Sequence, residues 1–236
     1  MKRLGRLAIG IALLSYSCRW VNPIMIKMEN EKASVSSGVS WNGNMENGKR
    51  LPNSGANYHC VSYLLTALGR NGVNDQLRSL TVEVYDSLYR INPKWRYLYG
   101  ETGWVNGGKF WPHYTHQNGL VIDFMVPVIK RSDSSTAVLP AHLFNRYAYA
   151  SEFDSLAQFK EYSIDFEAMA THLYLLQEMG KSKGIAISRI IFEPDYLPML
   201  YESKHGKSLK KIPFVYNKAW VRHDDHYHTE FTLANP

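Results

Sequence analysis

The chain of 236 residues has no apolar stretch of membrane length. Its longest run, Leu7 to Leu14, falls far short of the roughly 18 to 20 residues that a spanning helix needs. Cysteine is equally scarce. Cys18 and Cys60 are the only two, which excludes a disulfide-dense scaffold and a four-thiolate zinc site. No unit recurs at a period of about 20 to 50 residues, so repeat architectures are excluded as well. Neither G-x-G-x-x-G nor a complete G-x-x-x-x-G-K-[ST] occurs, which leaves no dinucleotide or nucleotide-phosphate loop. Charge of one sign is not in large excess. The formal charge is +6, but Lys2, Arg3 and Arg6 supply three of those charges, and about +3 remains beyond them. Such a balance demands no polyanion, and no nucleic acid is expected as a partner. What is present is 45% apolar content, enough for one packed core in a chain of one-domain length.

Residues 1–17 read as an export signal. A basic start precedes the short apolar run, and the small residues Ser15 and Ser17 flank Tyr16, as a signal peptidase site requires. Cys18 follows directly, where a bacterial lipoprotein carries its lipidated cysteine, although Ser15 stands where such signals usually have leucine. Lipidation at Cys18 and plain cleavage therefore both stay open. Cys60 is left without a partner and reads as a small buried apolar residue. Residues 18–43 are rich in Asn, Ser and Gly with little periodicity and read as a polar linker, with the domain occupying 44–236.

Within that domain, Leu77, Leu80, Val84, Leu88 and Ile91 recur at helical spacing between a capping Asn74 and Pro93. A second helix is expected over roughly 165–183, starting at Asp165, burying Phe166, Met169, Ala170, Leu173 and Leu176, and ending before Gly184. Its methionines, Met169 and Met179, read as core filler. Strands are expected at Leu120 to Val126, Ile185 to Phe192 and Tyr227 to Leu233. The expectation is a compact α+β domain with a largely antiparallel sheet flanked by helices.

Chemistry concentrates in the histidines. Of nine, two lie in Pro112-His113-Tyr114-Thr115-His116 and three in His223-Asp224-Asp225-His226-Tyr227-His228. Histidine is the commonest neutral metal ligand, and Asp123 interrupts an apolar strand where a lone buried charge would be costly without a cation or several donors. Residues two apart on a strand share a face, so His226 and His228 project together, with Glu230 next. His116 and Asp123 would be about 23 Å apart on an extended chain, so the chain must fold back, and Asn118-Gly119 offers the turn because both residues tolerate positive φ. Asp224 and Asp225 are either solvated loop charges or partners that orient a ligating imidazole. His59, His142, His172 and His205 stand alone.

The string Gly107-Gly108-Lys109-Phe110-Trp111-Pro112-His113-Tyr114-Thr115-His116-Gln117-Asn118-Gly119-Leu120-Val121-Ile122-Asp123, with His223 to His228 a hundred residues on, resembles the penicillin-insensitive murein endopeptidases. These belong to the lysostaphin, D-alanyl-D-alanine metallopeptidase and hedgehog-like zinc fold group. The resemblance runs from about 44 to 233 and rests on H-x(6)-D followed by H-x(2)-H-x-H. It implies a hedgehog or D-Ala-D-Ala-peptidase-like fold, Zn²⁺ held by His116, Asp123 and His228, His226 as catalytic base, and His223 as a further active-site histidine that either stabilises the oxyanion or assists the base. His113 matches a family position near the metal. Val121 stands where the family commonly has an acidic residue.

The implied reaction is hydrolysis of the D-alanyl to meso-diaminopimelyl cross-link of peptidoglycan in the periplasm, with an outer-membrane tether if Cys18 is lipidated. A D,D-carboxypeptidase acting on stem peptides and a non-catalytic, metal-bearing cell-wall-binding lipoprotein are the alternatives. A metal-dependent nuclease is disfavoured by the modest charge. Ser208-Leu209-Lys210-Lys211 satisfies S-x-x-K, but no S-D-N or K-T-G accompanies it, and the lysines around it read as a solvated basic turn. Trp104, Trp111, Tyr114, Trp220 and Tyr227 lie near the histidine motifs and suit either a glycopeptide cleft or the core.

Overall fold

Five strands form the central sheet of the computed structural model, which describes residues 18–217, 219 and 221–234. They are β1 (Tyr58–Cys60), β2 (Tyr97–Tyr99), β3 (Val121–Met125), β4 (Ile185–Ile191) and β5 (His226–Leu233), in the order β4-β5-β3-β2-β1. Only β1 and β2 pair in parallel; the remaining neighbours are antiparallel. A second, four-stranded antiparallel sheet is built from Gln158–Phe159, Tyr162–Ile164, Val128–Lys130 and Thr136–Ala137. The domain is therefore α+β with a mixed central sheet. The expected signal, residues 1–17, and Trp220 lie outside the described residues. Among the described residues no helix is long and apolar enough to cross a membrane.

Three helices matter for packing: α1 (Val21–Lys27), α2 (Asp75–Ile91) and α3 (Phe166–Ser182). Asn74 caps α2 by accepting the Gln76 N–H, and Asp165 caps α3 by accepting the Ala168 N–H. Gly184, with φ +68°, terminates α3 in the left-handed conformation that only glycine adopts freely. Leu77, Leu80, Val84 and Leu88 are fully buried, whereas Ile91 at the frayed end of α2 is exposed. Burial of each such leucine contributes about 1.5 to 3 kcal/mol relative to leaving it in water. Helix α3 packs on α2 and on β4. Met169 is wholly buried and Met179 packs against the core, as filler should.

Residues 18–43 are not a linker. They carry a short 3-10 turn (Cys18–Trp20), α1, and the first strand of the hairpin Val35–Val39 with Asn42–Glu46. The polar composition misled because some of the polar groups are used internally: Asn22 is buried and donates to Leu51 O, and Asn71 donates to Asn22 Oδ1. Cys60 lies buried on β1, where loss of solvent pushes its thiol up to about 12 and leaves it unreactive near neutral pH.

His172, one of the histidines without sequence neighbours of note, is fully buried on α3. Its Nδ1 lies 2.6 Å from the Tyr227 hydroxyl, and its ring stacks on Tyr85. Burial lowers its pKa to about 3. An unfolded histidine binds a proton below about 6.5, so the folded state resists a proton that the unfolded state takes. His172 thus contributes full stability above pH 6.5, and that contribution is lost progressively as pH falls from 6.5 toward 3. Urea midpoints measured across this window in the presence of chelator should fall for the wild type and fall less for His172→Phe; parallel curves would remove His172 from the acid response.

Candidate metal centre

The register between β3 and β5 sets His228 opposite Asp123, His226 opposite Met125 and Glu230 opposite Val121. Side chains alternate along a strand, so His226, His228 and Glu230 share one face with Asp123. The intervening Tyr227 and Phe124 point the other way, into the core beside His172. Tyr227 is therefore no part of a cleft.

The segment before β3 returns His116 to this face. Gly119 adopts φ +73° in the expected turn, and a Cβ there would sit 2.1 Å from Met45 Sδ. The second left-handed residue is His116 itself, at φ +67°, rather than Asn118. Asn118 instead closes the turn through its side chain, Oδ1 accepting the Leu120 N–H at 3.2 Å. A non-glycine residue held in this region costs energy and persists where its surroundings impose it.

Asp123 is the hub of the site. Its Oδ1 lies 3.4 Å from His116 Nε2 and 2.9 Å from His228 Nδ1, with all three residues buried. Ligands about 2.0 to 2.1 Å from a tetrahedral ion stand about 3.3 Å apart, close to this spacing. His113, His116 and Asp123 also each offer one ligand atom within 4.8 Å of the others, a group that could hold a metal ion. His116 is the residue most in need of a partner. It is 0% exposed, and neither ring nitrogen has a hydrogen-bond partner. Buried polar atoms are rarely left so, and a cation beside Nε2 would satisfy one of them. The donor set of two or three imidazoles and one carboxylate suits a divalent ion of the zinc type.

Three of the imidazoles are each oriented by a carboxylate. Glu230 Oε1 accepts from His228 Nε2 at 3.2 Å and pairs with Arg189 at 2.5 Å. Glu101 Oε2 accepts from His113 Nε2 at 2.7 Å and is held by both sides of the Arg70 guanidinium. Asp225 Oδ1 accepts from His226 Nδ1 at 2.6 Å. Since a carboxylate only accepts, the bonded nitrogen carries a proton in each case, and Nε2 of His226 is an acceptor only while that imidazole is neutral.

The electrostatics follow. Burial raises the Asp123 pKa, but His116 and His226 outweigh it and hold the carboxyl well below its usual range. Burial lowers His116. Burial also lowers His228, yet its bonds to Asp123 and Glu230 prevail and raise it to about 9; at Glu230, the bonds to His228 and Arg189 overcome burial and lower it to about 2. His226 is raised, Asp123 and Asp225 prevailing over burial.

His223 lies beside His226, with ring centroids 4.8 Å apart, and its Nδ1 is 2.7 Å from Val221 O. Burial, helped by neighbouring His226, lowers its pKa to about 4. It is thus neutral near pH 7 with its proton on Nδ1, and Nε2 can only accept.

Asp224 and Asp225 are buried, not solvated: Asp224 accepts the Phe153 N–H at 2.7 Å, while Asp225 holds His226. Trp111 and Tyr114 are exposed beside the histidines, at 84% and 74%, while Trp104 packs edge-on to Phe110. The lysines at 204, 207, 210 and 211 are all exposed, as a solvated turn should be. Glu101, Arg70 and Tyr149 were not foreseen, since none sits in a motif. No family model matches the chain, and no curated protein matches it.

Proposed function

We propose that this chain is a zinc-dependent murein endopeptidase of the penicillin-insensitive type, with a hedgehog or D-Ala-D-Ala-peptidase-like domain, acting on peptide cross-links of peptidoglycan. The observation that carries the reading is the convergence of the orphaned His116 with Asp123 and His228, beside His226, whose Nδ1 is held by Asp225. His116, Asp123 and His228 would hold the ion. Bound there, zinc supplies a water acidic enough to ionise near pH 7 and polarises the scissile carbonyl.

His226 then accepts the proton of the attacking water at Nε2, with Asp225 stabilising the imidazolium that forms, and passes the proton to the leaving amine. His223 Nε2, also an acceptor, orients the water toward His226. Trp111 and Tyr114 offer exposed aromatic faces to the substrate. The sequence of residues 1–17 supports export to the periplasm, with an outer-membrane tether if Cys18 is lipidated and a soluble enzyme if the signal is simply cleaved.

The experiment is cleavage of purified sacculi in three arms: untreated, with chelator, and with penicillin. A water attacking directly forms no acyl-enzyme, so a β-lactam has no serine to trap. Cleavage should stop with chelator, return with zinc and ignore penicillin. Stoichiometric block by penicillin together with indifference to chelator would reverse the reading and bring Ser208 back into consideration.

A further inference from the structure

Tyr149, outside the two histidine motifs, touches Asp123, Glu101, His226 and His113. Its hydroxyl donates to Asp123 Oδ2 at 2.9 Å and accepts the Glu101 N–H at 2.8 Å. Its ring stands edge-on to His226, with centroids 4.9 Å apart, and to His113 at 6.0 Å. The two oxygens of Asp123 are thereby divided. Oδ1 faces His116 and His228, and Oδ2 is tied to a phenol.

The surrounding chain is shaped to deliver that hydroxyl. Arg146, Tyr147 and Ala148, none of them glycine, are consecutive left-handed residues at φ 51°, 56° and 79°. Such a run persists only where its surroundings hold it. Here Ala148 is fully buried, the Ser151 N–H points at Asp225 Oδ2 from 3.4 Å, and the Phe153 N–H bonds Asp224. On the opposite side, a Cβ on Gly100 would lie 2.1 Å from the Tyr149 hydroxyl, so only glycine leaves room for it.

A carboxylate can bind a divalent ion through one oxygen or both, and a second bound oxygen occupies a position that a water or carbonyl would otherwise take. We propose that Tyr149 is a positioning residue that keeps Asp123 a one-oxygen ligand and so preserves the open coordination position of the centre. The inference rests on the metal reading above. Loss of the hydroxyl frees Oδ2 to turn toward the ion, while the ring, its packing and the fold remain.

The test uses the full chain carrying cobalt(II), whose visible absorption weakens as its coordination number rises. Tyr149→Phe should lose absorption intensity relative to the wild type at equal cobalt content, and on the zinc form kcat should fall about 10- to 100-fold with KM little changed. Gly100→Ala, which displaces the hydroxyl from the other side, should weaken the cobalt spectrum in the same way. A wild-type spectrum in Tyr149→Phe overturns the proposal whatever happens to kcat, since a structural contribution alone would leave the spectrum untouched. A wild-type chain that takes up no cobalt overturns the metal reading itself, and this proposal with it.

Discussion

Asp123→Ala will take the chain from about one tightly bound zinc to almost none and abolish cleavage of sacculi. Asp123 is fully buried and, among the described residues, is the only carboxylate whose oxygen faces both His116 Nε2 and His228 Nδ1. Without it, two imidazoles remain, too few to hold the ion against chelation. His116→Ala and His228→Ala should have the same outcome, each removing one of three protein ligands. His113→Ala separates the two candidate ligand sets. If His116, Asp123 and His228 hold the ion, with His113 committed to Glu101, the His113 variant keeps its zinc. Elemental analysis checks the series, and undiminished zinc in Asp123→Ala, His116→Ala and His228→Ala would sink the assignment.

His226→Ala should do the opposite to the metal and nearly the same to the rate. Zinc content stays at about one, because Nδ1 is spent on Asp225 and Nε2 is reserved for a proton. Turnover falls by roughly 10² to 10⁴, the usual contribution of a positioned acid or base. Asp225→Asn should fall less far, since it spoils the orientation of the imidazole and leaves the base in place. Single-turnover cleavage alongside metal analysis checks both. Near wild-type turnover in His226→Ala would move the base to His223, whose Nε2 is also an acceptor.

Much of this centre was legible in the linear sequence because strand alternation is a strict rule. His226, His228 and Glu230 had to share a face, and Asp123 had to need a partner once it interrupted Val121-Ile122 and Phe124-Met125. The two long helices and the three main strands were legible for the same reason, their apolar periods being long enough to read. The pairing of His228 with Asp123 was not, because register depends on which strands become neighbours. Strands β1 and β2 span three residues each and leave no measurable period. Tyr149 and Glu101 escaped because their roles come from a left-handed run and a strand end, neither of which leaves a spacing pattern. The segment 18–43 was misread because a buried asparagine such as Asn22 looks like a solvated one until its partners are known.

Mass spectrometry of muropeptides from sacculi incubated with the purified chain, with and without chelator, bears most directly on a metal-dependent cross-link peptidase. Cross-linked dimers should disappear as monomers accumulate that bear a free diaminopimelyl amine and a terminal D-alanine, with release stopping in chelator and resuming on addition of zinc. Intact dimers in the untreated arm, whether or not single D-alanine residues leave the stems, would contradict the endopeptidase assignment, and equal release in chelator would contradict the metal.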